Sequence, residues 1–348
     1  MSIGFSTQSY VFDPRPSYPL LSVVKRYWRE GSPYLNDPEA LTLVFAHGTG
    51  FHKEQWEPVL DDLQTLLDKG EGRPKIREVW SIDASNHGDA AQLNEETLNY
   101  GYKHTFNWEE YARSIHLFLS GNGKGVDFDF TGHKLVGIGH SMGAVSLGLS
   151  LGYYPKINFA SLILCEVMIL PEKYMGENNF LAGGSEKRRD IWPSKEEAYK
   201  LLKSRGTWKS WDDRILKIYV ESGMRSLPTA AYPDKEGVTL KCTRDQEAAC
   251  YRDAIGSRRL YHNFGNIVKI VPTHLIYGEI EDYLPADVRK DVVDNKAGGV
   301  QNLASLAFVP GAGHLVTQIN PSGLAEKIYD ALVITSKSSK PSGGSARL

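Results

Sequence analysis

The sequence predicts an α/β fold in which a mostly parallel sheet is covered by helices on both faces and interrupted by an inserted lid. Three observations carry this. Short apolar runs alternate with segments whose apolar residues recur at helical spacing. Glycine-rich turns close several of the runs, as expected of strands buried on both faces. The alternation breaks over one long polar and aromatic stretch and then resumes. The 348 residues are enough for one large α/β domain or two average ones.

Leu20 to Trp28, with Val23-Val24 at its centre, reads as the opening strand. Leu41 to Ala46 (LTLVFA) is an apolar run that meets His47-Gly48-Thr49-Gly50, so it reads as a buried parallel strand. Glu54 to Lys69 places apolar residues at 56, 59, 60, 63, 66 and 67, which is helical spacing. Arg77 to Ala84 is the next strand, Trp108 to Leu119 a helix and Lys134 to Ile138 a strand. After Gly139-His140-Ser141-Met142-Gly143 a helix runs to about Leu151, and Ala160 to Cys165 is another strand. From Pro171 to about Gly265 the chain shows no clear alternation and carries several aromatics, among them Tyr174, Phe180, Trp192, Trp208, Trp211, Tyr219, Tyr232, Tyr251 and Tyr261. Strands return at Thr273 to Tyr277 and Ser305 to Val309, and a last helix is expected from Pro321 to about Ile334. The expected organisation is a core over 1–170 and 266–335, a lid over 171–265 and a flexible tail over 336–348. Such a lid would cover the carboxyl ends of the strands, where open α/β sheets place their sites.

Composition narrows the function classes. Hydrophobic residues make up 41% and charged residues 24%, ordinary for a globular chain with a sizeable core. A formal net charge of -2 supplies no global field for nucleic acid or anionic membrane. The one dense basic run, Lys187-Arg188-Arg189, is short, and no nucleic-acid partner is expected. Three cysteines, Cys165, Cys242 and Cys250, form neither a disulfide framework nor paired metal spacing, so a reducing compartment is the simplest reading. The segment Met1 to Tyr18 has no signal-peptide pattern, and no run approaches the ~18 apolar residues of a membrane span. The tail SKSSKPSGGSARL ends in Ala346-Arg347-Leu348, a close variant of the SKL peroxisomal address. A peroxisomal location, with the import receptor as partner, is therefore expected.

Three motifs carry chemistry. Gly139-His140-Ser141-Met142-Gly143 is a G-x-S-x-G between a strand and a helix. A tight turn there holds the Ser141 hydroxyl clear of the sheet, and the following helix N-terminus favours a developing anion. His47-Gly48-Thr49-Gly50 marks an earlier loop able to aim a backbone N–H at the same point. Thr49 and Met142 are the expected oxyanion donors; loss of one such donor typically costs about 10²–10³ in rate. Gly311-Ala312-Gly313-His314 follows the last strand, and His314 is the expected general base for Ser141. His47 and His140 flank these positions and are candidates for substrate contact.

These segments, with Asp83-Ala84-Ser85-Asn86-His87-Gly88-Asp89 after the fourth strand, resemble the α/β-hydrolases in identity and order. The likeness spans the chain except the lid and tail. Together with the terminal ARL it is similar to the fungal peroxisomal α/β-hydrolases. That group holds acyl-CoA hydrolases and ester hydrolases of secondary-metabolite or toxin pathways, the mycophenolic-acid acyl-CoA hydrolase among them, and a peroxisomal lipase. The resemblance implies an eight-stranded sheet, a serine nucleophile and no metal or organic cofactor. It also implies a triad acid, for which two places compete. Most members carry it after the seventh strand, here Glu281, with Asp282 beside it. The acyl-CoA hydrolases carry it after the sixth, here Glu166. Glu166 ends a buried apolar run and needs a partner there, because burying a lone carboxylate is costly. Glu166 is the expected acid and Glu281 the alternative.

The expected function is hydrolysis of an ester or acyl-CoA thioester of a bulky lipophilic acid through an acyl-enzyme. Lys187, Arg188, Arg189, Arg258 and Arg259 are candidates for holding CoA phosphates. An acyltransferase with the same triad, or a non-catalytic binding protein, are the alternatives. Haloalkane dehalogenases and epoxide hydrolases use an aspartate nucleophile, and position 141 is serine.

Overall fold

The computed structural model describes residues 4–69, 73–171, 174 and 178–338. Among them, eight strands form one sheet: β1 (Ser6–Phe12), β2 (Ser22–Trp28), β3 (Leu41–Ala46), β4 (Ile76–Ile82), β5 (Lys134–His140), β6 (Phe159–Cys165), β10 (Thr273–Gly278) and β11 (Ser305–Val309). Three shorter strands, β7 (Ile191–Trp192), β8 (Met224–Ser226) and β9 (Val238–Leu240), pair separately. The large sheet is ordered β1-β2-β4-β3-β5-β6-β10-β11, and only β2 runs against the rest. The opening strand is thus Ser6–Phe12, ahead of the expected one. Its residues alternate little and face solvent along most of its length, so periodicity does not mark it.

Helices cover both faces. On one lie α1 (Glu57–Lys69) and α13 (Pro321–Ser338), packed on each other and on β3, β5 and β10. α1 buries Val59, Leu60, Leu63 and Leu67, one stripe of an amphipathic helix. Between them in the chain come α2 (Gly88–Leu93), α3 (Glu95–Gly101), α4 (Trp108–Leu119) and α5 (Met142–Ser150). Every residue of α5 is buried, which suits a helix enclosed between α4, the sheet and α10 (Gly256–Ile270). α13 continues to Ser338, beyond its expected end near Ile334 and into the expected tail. Ala346-Arg347-Leu348 lie outside the described residues.

The segment between β6 and β10 carries α6 (Asn178–Lys187), α7 (Lys195–Lys203), α8 (Asp213–Gly223), α9 (Arg244–Tyr251) and α10, with β7-β9-β8 as a small antiparallel sheet. It has an apolar cluster of its own, in which Trp192, Trp211 and Tyr219 pack with Ile215, Leu216 and Val220. α10 runs through position 265 and packs on α5. Among the described residues the remaining α-helices are α11 (Ala286–Asp291) and α12 (Val316–Ile319). Among the described residues no helix is long and apolar enough to cross a membrane, and no group of three or more His, Cys, Asp or Glu could hold a metal ion.

Candidate active site

Sheet register brings the motifs to one edge. Ala46 pairs with Gly139, and His140 pairs with Cys165. The residues that follow, His47, Ser141 and Glu166, therefore leave neighbouring strands at similar heights. The hydrogen-bond ladder continues past the strand ends: the Ser141 N–H donates to the Cys165 carbonyl (3.0 Å) and the Glu166 N–H to the Ile276 carbonyl (2.8 Å).

Ser141 has φ 53°, a left-handed conformation that costs a non-glycine residue energy. The turn is tight enough that its flanking glycines are obligatory. A Cβ on Gly143 would lie 2.3 Å from the Ala46 carbonyl oxygen, and one on Gly139 would lie 2.6 Å from the Ala144 backbone. Ser141 Oγ lies 3.0 Å from His314 Nε2. On the other side of the ring, His314 Nδ1 lies 3.1 Å from Glu166 Oε2. Glu166, fully buried, also has a left-handed backbone, with φ 47°.

The rival carboxylates stand elsewhere. Glu281 is exposed. Asp282 accepts the backbone N–H of His314 (2.8 Å) and so anchors the histidine loop without reaching the ring. Gly313 has no room for a Cβ, which would lie 2.2 Å from Asp282 Oδ2.

The HG loop packs on the serine turn. A Cβ on Gly48 would lie 2.8 Å from His140 Nδ1 and 3.3 Å from Ser141 Cβ. Thr49 Oγ1 donates to Met142 Sδ at 3.5 Å, so Thr49 and Met142 are neighbours. Met142 opens α5, where the first N–H groups have no intrahelical acceptor.

His47 and His140, both candidates for substrate contact, part company here. His47 lies outside the lining of the cavity beside Ser141. Both its ring nitrogens are engaged: Nε2 accepts the Ala84 N–H (3.0 Å) and Nδ1–H donates to the Gly48 carbonyl (2.8 Å). His140 does line the cavity, and its Nε2–H donates to the His314 carbonyl (2.8 Å). Burial lowers the pKa of each to about 3, reinforced at His140 by the neighbouring His314. Both rings are neutral at working pH.

Two supporting residues escaped sequence reasoning. Arg289 Nη2 lies 3.2 Å from Glu166 Oε1, an oxygen that also accepts the Gly278 N–H at 2.6 Å. His87 Nε2 accepts the Gly50 N–H (2.9 Å), while its Nδ1–H donates to Asn86 Oδ1 (2.7 Å). His87 sits in the Asp83 to Asp89 segment, which offered a signal; Arg289 lies on α11 with no local motif.

The cavity beside Ser141 measures about 70 Å³ and is walled by Phe51, Trp108, Met168, Leu181, Tyr251 and Leu315. Among the described aromatics of 171–265, Tyr251 alone lines it. As it stands it is too small for a bulky acyl group. The candidate phosphate-binding cations do not line this cavity. Arg188 is ion-paired with Glu247, and Arg259 donates to Glu109 at 2.7 Å. Arg189 donates through Nε to the Ile191 carbonyl, while Lys187 and Arg258 are exposed. Cys165, Cys242 and Cys250 are free and buried.

Residues 43–327 match the Alpha/beta hydrolase family. The chain belongs to that family. It is 33% identical over 305 residues to the peroxisomal membrane protein LPX1 of Saccharomyces cerevisiae, covering 83% of this chain and 74% of that one. It is 30% identical over 227 residues to the type I acyl-CoA thioesterase mpaH of Penicillium brevicompactum, over 63% of this chain. It spans about half the length of that thioesterase, 48%. Among solved structures it resembles the peroxisomal alpha-beta-hydrolase Lpx1, with TM-score 0.72 and 21% identity over 99% of this chain and 93% of that one. It also resembles the thioesterase domain of the curacin biosynthetic pathway, with TM-score 0.61 and 16% identity over 93% and 99%.

Proposed function

We propose that this hydrolase cleaves an ester or acyl-CoA thioester through an acyl-enzyme on Ser141. The observation that carries the reading is the chain Ser141 Oγ to His314 Nε2 (3.0 Å) and His314 Nδ1 to Glu166 Oε2 (3.1 Å). Both spans lie within reach of proton transfer and of ring orientation. Ser141 Oγ attacks the carbonyl carbon as His314 Nε2 takes its proton. The N–H groups of Thr49 and Met142 hold the oxyanion. Collapse breaks the bond to the alcohol or thiol, which leaves with the proton from His314. Water then attacks the acyl-Ser141 ester, His314 again serving as base, and the acid departs. Glu166 orients the ring and stabilises its charged form.

Residues 171–265 act in this reading as a lid, over a core of 1–170 and 266–335. A bulky lipophilic acid needs α6, which places Leu181 in the cavity, to move outward. The mpaH relatives, named as acyl-CoA thioesterases, favour the thioester; their name describes them. We further propose a peroxisomal location, supported by the name of the LPX1 relative, with Ala346-Arg347-Leu348 as the address read by the import receptor. Deleting those three residues from a fluorescent fusion should then disperse it from peroxisomes to cytosol.

The test of the reaction is labelling with a fluorophosphonate and turnover of a panel of acyl-CoAs, simple esters and lactones. Ser141→Ala should abolish labelling and lower turnover about 10⁴–10⁶-fold with the fold intact. Labelling that survives the substitution removes Ser141 from its role. Product analysis with added alcohol or amine separates hydrolysis from acyl transfer.

A further inference from the structure

A second cavity, of about 150 Å³, lies in the segment between β6 and β10, one layer of rings away from the catalytic one. Phe51 lines the catalytic cavity and Tyr219 the second, with their ring centroids 6.5 Å apart. Trp192, Trp208 and Tyr219 form its aromatic wall, and Arg188, Arg189 and Arg205 surround it; no carboxylate is among the lining residues.

The donors at this cavity are under-used. Arg188 Nε and Trp192 Nε1 are buried without a hydrogen-bond partner among the described residues. A buried donor left unpaired is costly, and native folds leave few of them. Arg205 is exposed and makes no side-chain hydrogen bond or ion pair among the described residues. Arg189 engages Nε alone, on the Ile191 carbonyl at 2.9 Å. Glu247 neutralises Arg188, which leaves about two uncompensated positive charges. Guanidinium groups match phosphate oxygens in pairs, and indole and phenol rings offer faces to a flat base. A cavity of this size seats one ring system, and the exposed Arg189 and Arg205 at its rim leave a sugar and its phosphates to lie outside it.

One of its lining residues, Arg188, is tied through Glu247 to the loop beside Ser141. Glu247, the partner of Arg188, packs on the oxyanion loop, where a Cβ on Gly50 would lie 3.0 Å from Glu247 Oε1.

We propose that this cavity binds a phosphorylated adenosine group, the nucleotide end of a thioester substrate whose acyl carbon lies at Ser141. The link to substrate rests on the hydrolase reading above; the binding itself does not.

The experiment is equilibrium titration of full-length Ser141→Ala protein with adenosine 3′,5′-bisphosphate, adenosine and inorganic pyrophosphate. The bisphosphate should bind saturably, and the other two at least tenfold more weakly. Arg189→Gln and Arg205→Gln alter exposed residues, so circular dichroism should show an unchanged fold. Each should weaken the bisphosphate about tenfold, the size expected for loss of one charge-assisted contact. Absence of saturable binding, or equal affinity in wild-type and doubly substituted proteins, overturns the proposal. Pyrophosphate binding as tight as the bisphosphate overturns the adenosine part. In parallel, wild-type protein is assayed on p-nitrophenyl acetate. Ester turnover without nucleotide binding sinks this inference alone, and nucleotide binding without turnover or fluorophosphonate labelling sinks the hydrolase reading alone.

Discussion

Arg289 grips the carboxylate of Glu166 on the side away from His314. Its Nη2 lies 3.2 Å from Oε1, while Oε2 lies 3.1 Å from His314 Nδ1. The same guanidinium donates to the carbonyls of Gly278 (2.6 Å) and Ile280 (3.0 Å), so it ties the acid to the loop that competes for the acid's role.

Glu166→Gln should lower kcat about 10³–10⁴-fold, since a neutral amide neither selects the ring tautomer nor stabilises its charge. Glu281→Gln should change kcat less than about twofold, because that side chain is exposed and away from the ring. Steady-state kinetics of the two variants on one ester check both. A large loss at Glu281 with a small one at Glu166 would reverse the assignment.

Arg289 is a positioning residue in this reading. Arg289→Gln leaves a buried carboxylate without its cation and should cost about 3–5 kcal/mol of stability in urea denaturation. At temperatures where the variant stays folded, kcat should drop at least tenfold with KM nearly constant.

His87 acts one step further out, through the Gly50 N–H that it accepts at 2.9 Å. His87→Ala should loosen the oxyanion loop and reduce kcat about 10–10²-fold, the scale of a small misplacement of catalytic donors. His87→Gln, which retains an acceptor, should recover part of the loss. Equal kcat in wild type and His87→Ala would remove the residue from this role.

Acid should destabilise the protein through its buried imidazoles. His47 and His140 are held neutral, with pKa lowered by burial from 6.5 to about 3. The unfolded chain takes up protons below pH 6.5 that the folded chain refuses, so stability is full above that value and is lost as pH falls toward 3. By pH 5 each of the two should cost about 2 kcal/mol. Unfolding free energies from urea titrations at pH 7.5 and pH 5 check this; equal values would contradict it.

Much of this was readable in the chain, for physical reasons. β3 falls where LTLVFA places it, because a strand between two parallel neighbours needs an unbroken apolar run and a glycine-bearing turn after it, and β11, at the sheet edge beside β10, falls where SLAFV places it. β1 was not readable: STQSYVF lies at the sheet edge, mostly exposed, and carries little period. β7, β8 and β9 are two or three residues long, too short to show any period. Ser141, His314 and Glu166 stood out because each must sit on a turn at a strand end, which constrains the residues beside it. Arg289 did not, since it meets Glu166 across 123 positions with nothing local to announce the contact. Nor could the sequence give the size of the catalytic cavity, which depends on how the segment between β6 and β10 folds back.

The ladder that runs on from Cys165 to Ser141 and from Ile276 to Glu166 makes the sheet a gauge block for the reaction centre. A register slip of one residue in β5 or β6 would send every side chain to the opposite face, so these positions cannot drift without dismantling the barrier-like core beneath them. On heating, reactivity toward a small fluorophosphonate should therefore vanish in step with the calorimetric melting of the sheet. In the lid reading proposed above, discrimination between large substrates rests on the outer segment, which has a separate apolar cluster. A warm regime should exist in which the molecule still reacts but no longer chooses.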